Sequence, residues 1–351
     1  MSSQQQILLG SAEKDSPVYV DEVFSTDVWN GASGDLTINN GIKFSTEGGM
    51  FISKTRTNTT YIGLFDTVRG ATKRLRTDNN AVEGSVSNIV KSFNANGLTI
   101  SSDGGTQFYE SGQEHVGWSF RKQKGFFDMV TYTGNNTSGR VISHNLGSVP
   151  GMIIIKARDS AQNWSVYHRG MNGGSNPHTK KMYLNTTDVE SSSSNDFTAA
   201  PTATGFTLGN DGRVNQGSTE YIAYIFAHDD QQFGTNKDKA IIKCGHYTGN
   251  GGTQEINLGF EPQWLLIKRN TGGTHSWVVI DCIRGVQSYG GDASASSLRL
   301  ESNTAETEMN TNRYIGVYHS GILFESVSSS MFNYNSHDYI YVAIRRPDGY
   351  V

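Results

Sequence analysis

The sequence predicts an all-β protein: three tandem, related antiparallel β-sandwich units, jelly-roll or lectin-like, behind a short N-terminal arm. Three observations lead there. The chain of 351 residues holds 40 Gly and only 6 Pro, with Ser, Thr and Asn abundant. Its aromatic and β-branched residues fall in short runs between Gly/Asn/Ser clusters, with no sustained 3.6-residue apolar period, which is the signature of strands and turns. A set of landmarks also recurs three times in one order, as in a repeat architecture.

Residues 1–17 stand outside the repeats. "SSQQQILLG" is polar, then apolar at Ile7, Leu8 and Leu9, then Gly. That triplet is too short for a signal-peptide core and follows no basic region. It reads as a docking arm that adds itself to a neighbouring chain.

The second and third units show the pattern best. Tyr132-Thr-Gly-Asn and Tyr247-Thr-Gly-Asn open them. Each continues through Leu-Gly to Pro150 or Pro262 and an apolar strand ending in Lys156 or Lys268. After a polar loop come Trp164 or Trp277, another apolar run, and Arg169-Gly170 or Arg284-Gly285. Proline at a strand start forfeits no ladder bond, and "MIIIK" and "WLLIK" lack alternation, so both faces of that strand are expected to be covered. The first unit repeats the pattern more loosely: a strand ending in Lys54, then Tyr61 in the place of Trp, then Arg69-Gly70. Each unit closes with a Gly-led short strand and an acid-led strand starting at Glu114, Glu220 or Asp338. The expected boundaries are 18–128, 129–239 and 240–351, with the units either in a row or clustered about a pseudo-threefold axis.

Chemical motifs are sparse. H-E-x-x-H, G-x-S-x-G, a Walker loop and C-x-x-C are absent. No catalytic, cofactor-binding or metal-binding residue is assigned. His228-Asp229-Asp230 is a possible cation cluster but reads better as a solvated loop. Asp66 and Asp281, at matching places, could be sugar ligands or acids; the preferred reading pairs them with Arg69 and Arg284. The repeated aromatics Tyr61, Trp164 and Trp277, with Arg69, Arg169 and Arg284, are the candidate surface or glycan contacts, with core packing as the stronger reading for the rings. Cys244 and Cys282 read as two buried thiols rather than a disulfide framework. A net charge of −4 without a basic block argues against nucleic acid. No apolar run is long enough for a membrane helix.

The motifs "FSTDVWNG", "NNGIKFSTEGGMFISK", "LFDTVRGATKRL", "VTYTGN", "HNLGSVPGMIIIK", "YIAYIFAHDD" and "NLGFEPQWLLIKR" resemble repeat-bearing virion structural and tail-fibre proteins of marine tailed phages, cyanophages included. The resemblance covers nearly the whole chain and carries no catalytic residue with it. It implies a non-enzymatic virion component without a cofactor, located on the exterior of tail or capsid. The expected partners are other virion proteins, further copies of itself as a trimer, and a host surface glycan. A tail-fibre or tail-associated role is the first expectation. Capsid decoration is the alternative, and a glycan-cleaving tailspike the third.

Overall fold

A computed structural model describes residues 17–87, 89–101, 108–193, 195–288, 297–311, 315–324 and 331–347. The arm residues Ile7, Leu8 and Leu9 lie outside the described residues. The fold is all-β, with the same pair of sheets built three times.

In the first unit the large sheet runs Phe24–Asn30, Glu114–Arg121, Gly49–Thr55, Gly63–Asp66, Lys73–Arg76, Gly84–Ser85. The second repeats that order with Phe127–Thr133, Glu220–Phe226, Met152–Ala157, Ser165–His168, Lys180–Tyr183 and Ser191–Ser192. The third does so with Ile242–Thr248, Asp338–Arg345, Pro262–Arg269, Val278–Asp281, Leu298–Glu301 and Met309–Asn310. In each, the unit's last strand inserts between its first and the Lys-bearing strand. No sheet is therefore complete until its whole unit has been made. The second unit opens at Phe127, inside the segment expected to close the first. Among the described residues a smaller sheet of three, two and four strands, respectively, covers one face of each large sheet.

The opening Tyr-Thr-Gly-Asn motif turns out to be a corner device. Tyr132 stacks on Tyr221 across the strand pair, and Tyr247 on Tyr339, at centroid distances of 5.1 and 4.9 Å. Trp29 and His115 hold the same place in the first unit at 5.8 Å. Each first ring also donates to a backbone carbonyl: Tyr132 to Val214, Tyr247 to Phe332, Trp29 to Phe108. The motif's Asn amides are capped in turn by the side chains of Asn215 and Asn333.

The Lys-bearing strands are buried on both faces. One face meets its own small sheet: Phe51 and Phe65 pack with Leu98 and Ile100, and Leu265 and Ile267 with Ile322 and Phe324. The other face meets the sister units. Met50, Leu64, Trp118 and Phe120 share one apolar cluster with Met152, Ile154, Trp164 and Tyr224 and with Trp264, Leu266, Trp277 and Val342. The three large sheets thus surround a common core, enclosing an apolar cavity of about 60 Å³ lined from all three units.

Candidate functional site

Among the described residues no cluster of His, Cys, Asp or Glu could hold a metal ion. His228 instead accepts a hydrogen bond at Nδ1 from the Cys244 amide, and Asp230 bonds Gln232. The densest polar chemistry lies where the units meet, and there the repeat landmarks reappear.

Lys54, Lys156 and Lys268 are fully buried. Each crosses to a different unit. The Lys54 ammonium donates to Thr304 O at 2.7 Å, Lys156 to Asn80 O at 3.2 Å, and Lys268 to Thr187 O at 3.1 Å. The first unit thus reaches the third, the second the first, and the third the second. Only a closed ring satisfies that set, because in a row the first and third units would not touch. Three equivalent backbone bonds repeat the cycle: Glu83 N to Arg158 O, Glu190 N to Asn270 O, and Glu308 N to Arg56 O, at 2.6, 3.0 and 2.8 Å. Burial lowers all three amines, Lys54 and Lys156 to about 8 and Lys268 to about 7, against the opposing pull of nearby carboxylates.

The tryptophans belong to the same ring. Trp164 donates its indole N–H to Arg76 O and Asn79 O, both at 3.0 Å, and Trp277 donates to Tyr183 O at 2.9 Å. Strand pairing sets Met50 opposite Asp66, Met152 opposite His168, and Trp264 opposite Asp281. Counting back four residues puts Ile62, not Tyr61, at the tryptophan position. Sequence spacing missed this by one residue because the loop ahead of it contains two aromatic-or-apolar choices in succession.

Asp66 and Asp281 are paired as the structural reading expected. Arg69 Nε meets Asp66 at 2.6 Å and Arg284 Nε meets Asp281 at 2.6 Å, all four side chains being closed to solvent. A neighbouring unit completes each carboxylate: Tyr224 donates its hydroxyl to Asp66 at 2.7 Å, and Trp118 its indole to Asp281 at 3.0 Å. Two further pairs extend each network outward. Glu83 takes Arg69 and Arg158, and Glu308 takes Arg284 and Arg56. Burial works to raise Glu83, but its bonds and charges from Arg158 and Arg69 hold it below the ordinary carboxylate range.

Of the six candidate glycan contacts, Trp164, Trp277, Arg69 and Arg284 are therefore core and junction residues, unavailable to a sugar. The half-buried Tyr61 ring already packs against the Arg74 and Arg76 guanidiniums, 4.5 and 4.2 Å from its centroid. Arg169 is exposed. No disulfide joins the two cysteines, as expected; Cys244 is buried and Cys282 partly so.

The family model for a domain of unknown function, DUF7483, matches residues 20–346. The chain belongs to this family. The match spans all three units, so the family's domain is the whole ring rather than one sandwich. Among curated proteins none matches.

Proposed function

We propose that the chain is a non-enzymatic structural protein of a bacteriophage particle, tail-associated and meeting the host surface. The motif resemblance supplies the particle. The observation that carries the structural role is the ring itself. The chemistry-bearing residues singled out in the repeats, the Lys, Trp and Asp residues together with Arg69 and Arg284, are spent on joining units, with Asp66 and Asp281 sealed away from any substrate. A module of this kind works by presenting loops on a rigid frame. Its contacts are other virion proteins and, at the host, surface glycan.

The ring favours a second reading for one specific reason. It builds within one chain the threefold arrangement that a trimer of single sandwiches would build between chains. Such an object fits a local threefold position on a capsid, as a decoration protein does. Imaging of intact particles with the chain tagged at its C-terminus separates the two. Density at the tail supports the first reading. Density at head lattice sites, in matching copy number, supports the second. Absence from purified particles, or release of reducing sugar from host polysaccharide by the pure protein, overturns both.

A further inference from the structure

The three junctions are equivalent in position but not in chemistry. Two carry the buried Asp–Arg pair. At the third, between the second and third units, His168 stands where the others have Asp66 and Asp281. Val342 stands where the others offer Tyr224 or Trp118. The imidazole is fully buried. Its Nε2 lies 3.1 Å from Tyr341 O of the third unit, and its Nδ1 accepts the Gly170 amide at 3.0 Å. That pair of bonds requires the neutral tautomer with hydrogen on Nε2. The seam around it closes on glycine. A Cβ on Gly151 would sit 2.6 Å from the Cβ of Cys244, and one on Gly170 2.8 Å from that of His246.

We propose that this seam is the acid-labile joint of the ring: protonation of His168 makes it open first, while the two Asp–Arg junctions hold. A proton on Nδ1 would face the Gly170 N–H, so the imidazolium loses that bond and meets another donor. The ionisable neighbours acting on the ring are Arg169, next in sequence, and His246 on the facing strand, and a positive charge on either opposes one on the imidazole. The strands packed against it also bring Cys244 and Tyr341, whose thiol and phenol are raised by burial and stay neutral in acid. His228 lies behind Cys244. Burial first, then the electrostatic influence of these two neighbours, brings His168 down to about 3. An opened seam restores the ordinary value near 6.5, so acid favours opening. By linkage the opening equilibrium rises roughly 100-fold between pH 7 and pH 4.5.

Cys244 reports the event, since it is buried against Gly151 in the closed seam. The test is labelling of the full chain with dithiodipyridine, which reacts across this pH range, in a Cys282→Ser background. Cys244 labelling, taken relative to an exposed model thiol at the same pH, is expected to accelerate roughly 100-fold from pH 7 to pH 4.5 while far-UV circular dichroism is unchanged. His168→Gln, whose amide keeps both a donor and an acceptor, is expected to flatten that response. A response that persists in His168→Gln but vanishes in His246→Asn overturns the assignment, as does labelling that is indifferent to pH. Hydrogen exchange on the unaltered chain gives a second readout that needs no variant. Gly170 is expected to lose protection in acid before Arg69 and Arg284, whose amides bond Asp66 and Asp281. Simultaneous loss at all three sites also overturns the proposal.

Discussion

The junction between the first and second units and that between the second and third perform the same mechanical task with different chemistry. In the first, Asp66, Arg69, Glu83 and Arg158 form an ionic chain, buried at its Asp66–Arg69 end, where the Tyr224 hydroxyl caps it. In the second, His168 takes the place of the acid, Arg169 turns outward, and Glu190 is met by the amide of Asn270 at 2.7 Å instead of by an arginine. The backbone bond joining the units survives in both. The lesson is that the substitutions are coupled. Once the facing strand carries Val342, a buried carboxylate would lack its inter-unit donor, and an uncompensated buried charge is costly. A neutral imidazole bonding a backbone carbonyl avoids that cost, and releases the arginine.

The largest expected break of this comparison is loss of one ionic partner. Arg69→Met or Arg284→Met strands a buried carboxylate and should destabilise the fold by about 3–5 kcal/mol. Arg169→Met, at the aligned position, should cost less than about 0.5 kcal/mol. Urea unfolding midpoints of the three variants compare them directly; equal losses would mean that the ionic chain is not what distinguishes the junctions.

Next in size is a pH effect shared by all three. Lys268 is held near 7 in the fold, against 10.5 ordinarily. Its folded value is the lower one, so between these limits the unfolded chain binds the proton more readily. The penalty of burying charge is full below pH 7 and lifts as pH rises. Relative to Lys268→Met, the native chain should gain about 2 kcal/mol between pH 7 and pH 9, at ~1.4 kcal/mol per unit of difference. A pH-independent gap between the two stability curves would show that the three carbonyls around this amine, those of Thr187, Arg269 and His275, hold it charged.

A smaller effect separates the tryptophan junctions from the one with Ile62. Trp164→Phe and Trp277→Phe each remove one indole donor to a carbonyl of the neighbouring unit and should cost about 1–2 kcal/mol. Thermal unfolding would sharpen the ranking. The smallest change is Asn270→Arg, which offers Glu190 the partner its counterparts have. Because the Glu190 end is partly exposed although position 270 is buried, that pair should add no more than about 0.5 kcal/mol, seen as a slight rise in Tm if the neutral junction has room for it.

The repeats made much of this legible from residues alone. Turn-rich composition, strand-length apolar runs and the recurring Lys, Trp and Arg-Gly positions determined an all-β chain of three sandwich units, because period and turn chemistry are local properties. The unalternating "MIIIK" and "WLLIK" even required two covered faces. What covered the second face was not local. Only the tertiary structure decided that sister units supply it, that the first and third units touch, and that Lys54, Lys156 and Lys268 reach across rather than out. It also decided that Ile62 is the true counterpart of the tryptophans, a register that strand pairing sets and spacing alone leaves off by one. A repeat tells which residues hold equivalent places in their own units. Which neighbour each place faces depends on how three amphipathic surfaces close on one another, and that is a property of the assembled core.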